Sequence, residues 1–152
     1  MIARRALLAG LGGASAAALF APPARACSCR FATTPEEIED QLSDPNRVLF
    51  DGVVKVADYP PEGRVIDSGF EASTVFEIVT DWTGQLGSAT ELEVAHRLHG
   101  PACGLKFETG AKVLVLAYRR EDGIWRTSLC TMPRPDYAEL YRTIAWRRLR
   151  GG

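Results

Sequence analysis

Hydrophobic and polar positions alternate along this chain in short runs separated by turn-forming residues. Residues 48–57 (VLFDGVVKVA) are rich in β-branched side chains and predict a strand, with Gly52 marking a bulge or a close backbone approach. In residues 73–82 the period is two: Thr74, Phe76, Ile78 and Thr80 share one face, and Val75, Glu77, Val79 and Asp81 the other. Gly84 to Gly87 turns the chain into a third strand over 90–95. Residues 112–118 (KVLVLAY) are almost continuously apolar, as in a central strand, and 119–123 make a hairpin turn into a last strand over 124–129. Two stretches have helical spacing instead. Thr34-Pro35-Glu36-Glu37 is a capping box with proline at the first helical position, and Ser43-Asp44-Pro45-Asn46 ends the short helix it opens. Over 136–148, Tyr137, Leu140, Tyr141 and Ile144 form one stripe. Five strands with a helix at each end predict a mainly β chain closed, or nearly closed, into a small barrel. Residues 58–69 are a connection, and no repeat or linker divides the chain.

The first 26 residues stand apart from this pattern. Arg4 and Arg5 precede an uncharged run of small and apolar residues over 6–20. Pro22 and Pro23 break the run, and Ala24-Arg25-Ala26 places small residues ahead of a cleavage point. The run falls short of the roughly 20 residues a bilayer-spanning helix needs. Residues 1–26 are therefore read as a signal peptide, and 27–152 as a single mature domain starting at Cys27. Arg4-Arg5 fits a twin-arginine signal loosely and a general secretory one equally well. A lipoprotein signal fits less well, because Ala24 and Arg25 are wrong for its cleavage box. The expected location is the periplasm or the extracellular medium.

Cleavage leaves 126 of the 152 residues, enough for one domain with a core. The leader carries Arg4, Arg5 and Arg25 and no acid, so the formal net charge of −1 becomes about −4 in the mature chain. A mildly acidic chain gives no general argument for nucleic-acid or membrane binding. The expectation is a monomer without nucleic-acid partner, with no membrane association after signal cleavage, and without a cofactor.

All four cysteines, Cys27, Cys29, Cys103 and Cys130, lie in the mature part, which points to two disulfides in an exported protein. Cys27 and Cys29 are poorly placed to pair with each other, since a Cys-x-Cys ring is strained. One N-terminal cysteine is then expected to reach Cys103 and the other Cys130.

Taken in order, Cys27-Ser28-Cys29 after a signal cut, Val48-Leu49-Phe50-Asp51-Gly52-Val53-Val54, and Thr74-Val75-Phe76-Glu77-Ile78 through Trp82-Thr83-Gly84 form one set. It continues with Ala102-Cys103-Gly104, Phe107, Gly110 ahead of Val113-Leu114-Val115-Leu116-Ala117, and Asp122-Gly123 before Thr127-Ser128-Leu129-Cys130. This set resembles the N-terminal, netrin-like domain of the tissue inhibitors of metalloproteinases, in a short exported form. The resemblance spans Cys27 to Cys130 and extends to the helix that follows. It implies a five-stranded OB-type barrel with flanking helices, and the disulfides Cys27–Cys103 and Cys29–Cys130.

The resemblance also implies a mechanism. The free α-amino group and the carbonyl of Cys27 would chelate the catalytic zinc of a target protease, which in such enzymes keeps one position open for the attacking water. Ser28 would enter the pocket beside the zinc, with Cys29 behind it and Ala102 on the neighbouring ridge. The chain would hold no metal of its own. Netrin-like domains also act as binding modules for other extracytoplasmic proteins, and that is the alternative reading.

Other chemistry has weaker footing in the sequence. His96, His99, Cys103 and Cys130 have a spacing that metal sites seldom use, and the simpler reading is two exposed histidines on a loop. Asp51, Glu77 and Asp81 are scattered carboxylates without a neighbouring nucleophile or base. No nucleophile elbow, phosphate loop or His-Glu-x-x-His occurs. The chain is read as a non-enzyme.

Overall fold

The computed structural model describes residues 28–59, 72–98 and 103–151. The predicted leader over 1–26, the cut before Cys27 and the proposed ridge residue Ala102 lie outside them. In chain order come α1 (Pro35–Ser43), β1 (Arg47–Asp58), β2 (Ala72–Asp81), β3 (Glu91–His96), β4 (Lys112–Arg119), β5 (Trp125–Arg126), a 3-10 turn at Pro135–Tyr137, and α2 (Ala138–Gly151). The strands close into a barrel in the order β1-β2-β3-β5-β4, with β4 returning to β1. The protein is mainly β, a five-stranded OB-type barrel with short flanking helices, as the sequence predicts.

Strand β1 is the longest and pairs antiparallel with both β2 and β4. It must bend strongly to serve both neighbours, and two register shifts against β2, at Asp51/Gly52 and Val54/Val56, provide the bend. Gly52 is required there by proximity. A Cβ on it would lie 3.0 Å from the Phe50 ring, 3.2 Å from the Glu77 carbonyl oxygen and 3.2 Å from the Phe76 Cβ.

The apolar run of β4 has a simple origin. Val115 and Ala117 point into the barrel with Val48, Phe50, Val54, Phe76, Val94 and Phe107. Leu114 and Leu116 point the other way, into a second core with Leu49, Ile38, Leu42, Tyr141, Ile144 and Ala145. Strands buried on both faces lose the alternating pattern. The helices thus cover one wall of the barrel, and the β1–β4 pair belongs to both cores. Inside the barrel Phe50 and Phe107 each meet the Phe76 ring edge to face, at 5.7 and 5.1 Å between centroids.

Helix α1 starts as predicted: the Glu37 amide donates to Thr34 Oγ1 (3.3 Å), and the Thr34 and Thr33 amides donate to the Glu37 carboxylate (3.4 and 3.0 Å). Those two amide bonds hold the Glu37 carboxyl below its ordinary pKa.

The last strand departs from expectation. Only Trp125 and Arg126 of the predicted 124–129 strand form ladder pairs, antiparallel with β4 and, through Arg126 and Ala95, parallel with β3. Beyond them the chain still bonds to its neighbours: the Thr127 amide donates to the Ala95 carbonyl (3.0 Å) and Thr127 Oγ1 to the Leu116 carbonyl (2.8 Å). The Thr131 and Met132 amides then turn back onto the Ser128 carbonyl, which ends the extended path. The two-residue strand is the seam that closes the barrel.

Candidate functional site

The rim of the barrel where β3 ends carries the sulfur atoms. Cys29 and Cys130 form a disulfide (S–S 2.00 Å) across 101 residues of sequence. Cys103 is also disulfide-bonded, and its Sγ lies 3.2 Å from that of Cys130. Neither sulfur carries a proton in a disulfide, so this is a van der Waals contact. The sulfurs of Cys29, Cys103 and Cys130 all lie within 4.8 Å of one another. Oxidised as they are, they have no thiolate to offer a metal. The Leu129 amide donates to the Cys103 carbonyl (3.0 Å), which joins the Cys103 segment to the strand end a second time.

Cys103 has φ 55, and among the described residues it alone combines a side chain with positive φ. That left-handed conformation is uncommon for a residue with a Cβ. It is held here from both sides, by the disulfide and by the bond from Leu129.

Behind the sulfurs, the segment leaving β3 is pinned by a histidine. The Leu105 amide donates to the Arg97 carbonyl (2.6 Å), closing the segment on itself. His96 is fully buried, with Nε2 2.8 Å from Thr74 Oγ1 and Nδ1 3.4 Å from the Arg97 carbonyl. The rings of Phe107 and Tyr59 stand edge-on to it at 5.2 and 6.0 Å. The Tyr59 hydroxyl donates to the Phe107 carbonyl (2.6 Å) and accepts from the Phe107 amide. Burial pushes the imidazole pKa below 6.5, against the opposing pull of the Arg97 and Leu105 carbonyls. A neutral ring with Nδ1–H toward the carbonyls and Nε2 accepting from Thr74 satisfies both nitrogens.

His96 therefore corrects the reading of two exposed loop histidines. It lies on a strand, inside, and is occupied, while His99 is outside the described residues. The strand runs one residue past its predicted end at 95, and His96 stands two residues from the inward Val94, paired with the buried Ala72.

Ser28 is exposed and Cys29 half-buried at this rim, so two of the predicted edge residues have places in the structure. Cys27 and Ala102, and with them the predicted Cys27–Cys103 bond, lie outside the described residues.

Two of the carboxylates the sequence left without a role, Asp51 and Asp81, are structural. Asp51 receives two bonds from Arg142 of α2 (2.9 and 2.6 Å) and one from the Trp82 indole (2.8 Å). Burial alone would raise its pKa, but these bonds and the Arg142 charge outweigh it and hold the carboxyl below its ordinary value. Asp81 accepts from the amides of Thr83, Gly84 and Leu86 (3.0, 2.9 and 2.7 Å) and shapes the β2–β3 turn. Glu77 is exposed. Among the described residues, no catalytic base, nucleophile or open cluster joins any of the three.

No known protein-family model matches the chain, and comparison with curated proteins finds no match.

Proposed function

We propose that this chain is an exported metalloproteinase inhibitor of the netrin-like kind, acting through the α-amino group and carbonyl of a mature N-terminal Cys27. The observation that carries the proposal is the anchoring of Cys29, one residue beyond the exposed Ser28, to Cys130 in the turn that follows β5. A free chain end is normally frayed. Closing a loop of 101 residues is worth about 4.7 kcal/mol in the chain-entropy model, so this end is strongly tied. The pairing assigned to Cys27 is Cys103, the cysteine left once Cys29 and Cys130 are joined.

The zinc belongs to the target. An amine and a carbonyl from one residue would fill the position where a catalytic zinc binds and activates water, and the nucleophile would be lost. The disulfide commits the Cys27 sulfur, so nitrogen and oxygen do the binding. Ser28, small and exposed, enters the neighbouring pocket without a large desolvation cost. An α-amine titrates at about 7.7–8.0 and must lose its proton to bind zinc, so inhibition weakens as pH falls. A disulfide, and the lack among the described residues of any helix long and apolar enough to cross a membrane, accord with export.

The test compares the mature protein with a form carrying one extra N-terminal alanine against a panel of zinc endopeptidases. Inhibition by the first and not the second is expected. Equal inhibition by both, or none by either, sinks the chelation mechanism, and a binding module is indifferent to the added residue.

A further inference from the structure

The end of α2 has chemistry that neither the barrel nor the sulfur rim uses. Its last six described residues, 146–151, are all exposed and carry Arg147, Arg148 and Arg150 with no acid. Trp146 and Leu149 sit among these cations and are 45% and 46% exposed. Arg148 is partly engaged, with Ser43 Oγ at 2.8 Å and the Glu39 carboxylate at 3.8 Å. Arg147 and Arg150 pair with no carboxylate among the described residues. The Arg150 guanidinium instead lies 4.0 Å over the Trp146 ring, which also meets Trp82 edge to face at 6.5 Å. The indole is therefore held at the surface with a cation on its face, and Leu149 lies beside the β2–β3 turn, where a methyl on Gly84 would come within 3.1 Å of it.

We infer that this end of α2 is a peripheral docking surface for an anionic phospholipid bilayer. Unpaired guanidinium groups reach lipid phosphates, while an indole and a leucine between them enter the headgroup boundary. The charge is local: the chain as a whole is slightly acidic, while at this helix end three arginines stand beside two exposed apolar side chains, Trp146 and Leu149. A groove of about 240 Å³ alongside, lined by Leu42, Pro45, Trp82 and Leu149, is smaller than an ordinary ligand pocket, which disfavours a small molecule. The placement suits the rest of the molecule. Trp82 follows the Asp81 end of β2, while the sulfur rim lies by its Ala72 end, which pairs with His96. The ten residues between span roughly 30 Å of strand. A chain seated by α2 keeps the Ser28 rim away from the bilayer.

The experiment uses the oxidised mature protein with phosphatidylcholine vesicles, with and without phosphatidylglycerol, followed by co-sedimentation and tryptophan emission. Partition onto the anionic vesicles alone, reversed by salt, is expected. The emission should shift to the blue, and the shift should be lost in W146F although Trp82 and Trp125 remain. R147A/R150A should lower the partition about thirtyfold, since each arginine near an anionic surface counts for several-fold. The exposed Arg120→Ala, on the β4–β5 turn, should change it little. Equal partition onto neutral vesicles, no partition, or equal losses for the Arg120 and the Arg147/Arg150 variants would overturn the inference. So would tight binding to polyglutamate with no vesicle partition, which would make the surface a site for acidic polypeptides. The extra-alanine form should bind vesicles as the mature protein does, so this outcome is independent of protease inhibition.

Discussion

The sulfur rim and the helix-covered wall belong to one small barrel but are held by opposite means. At the wall, Leu49, Leu114 and Leu116 pack against Ile38, Leu42, Tyr141 and Ile144, and the ion pairs Asp51–Arg142 and Glu39–Arg148 tie α2 to β1 and to α1. At the rim the apolar contacts of Phe107 and Tyr59 with His96 are joined by covalent and polar ties. The chain leaves β3, adopts a left-handed turn at Cys103, and is secured by disulfides, the Leu129–Cys103 bond and the buried His96. Apolar packing holds regular elements whose backbone is already satisfied. Irregular chain needs covalent and polar ties, because its own backbone offers no repeating partners. The rim is thus the part of the fold that answers to redox state and pH, and the wall the part that answers to side-chain volume.

The sharpest way to separate the two is to cut the covalent tie. Replacing both Cys29 and Cys130 by serine should lower stability by about 4 kcal/mol in urea unfolding. Hydrogen exchange should show early loss of protection at the Leu129 amide and little change at the core of β4. Uniform loss across both would mean the rim is no separate unit.

At the wall, Ile144→Ala removes buried methyl groups from the second core and should cost about 3 kcal/mol. Its exchange pattern should be the reverse, with α2 opening while the rim stays closed. Arg142→Ala should cost less, about 2 kcal/mol, because Asp51 keeps the Trp82 indole as a partner but loses two charged donors. Asp51→Asn in the same background should recover part of that loss by removing the unpaired charge. A full loss in the double variant would show that the bond geometry, and not the charge, matters.

The smallest effect is the pH dependence of the rim. The folded imidazole of His96 has its pKa below the unfolded value of 6.5, so the unfolded chain binds the proton first. Stability is then complete above 6.5 and falls as pH drops below it, by at most about 1.4 kcal/mol per pH unit. His96→Gln keeps a partner for Thr74 but cannot titrate, and should flatten the pH profile of unfolding between 6.5 and the onset of carboxylate titration. An unchanged slope would place the proton elsewhere.

Much of the barrel was legible in the chain itself. The capping box at Thr34 and Glu37, the inward face of β2, the bulge at Gly52 and the continuous apolar run of β4 all depend on neighbours a few residues away or on burial of whole faces. Such signals survive in a linear reading. The last strand is shorter than its composition predicts: 124–129 has the residues of a strand, but ladder pairing stops at Arg126 and the chain folds back at Ser128. The carboxylates were unreadable for a related reason: Asp51 meets Arg142 across 91 residues, and nothing near either residue announces the other.

The candidate site divides in the same way. The sequence by itself determined that four cysteines would be shared between an N-terminal pair and two distant positions. It also determined that a serine would stand between the first two, since composition and order settle both. That Cys29 takes Cys130 is what the resemblance implied and the structure forms; the tertiary structure alone decided that Cys103 is brought against that bond in a left-handed turn and that His96 is buried. Only barrel closure, through the short β3–β5 seam, brings the end of the last strand beside the end of β3, and that proximity is set by long-range pairing.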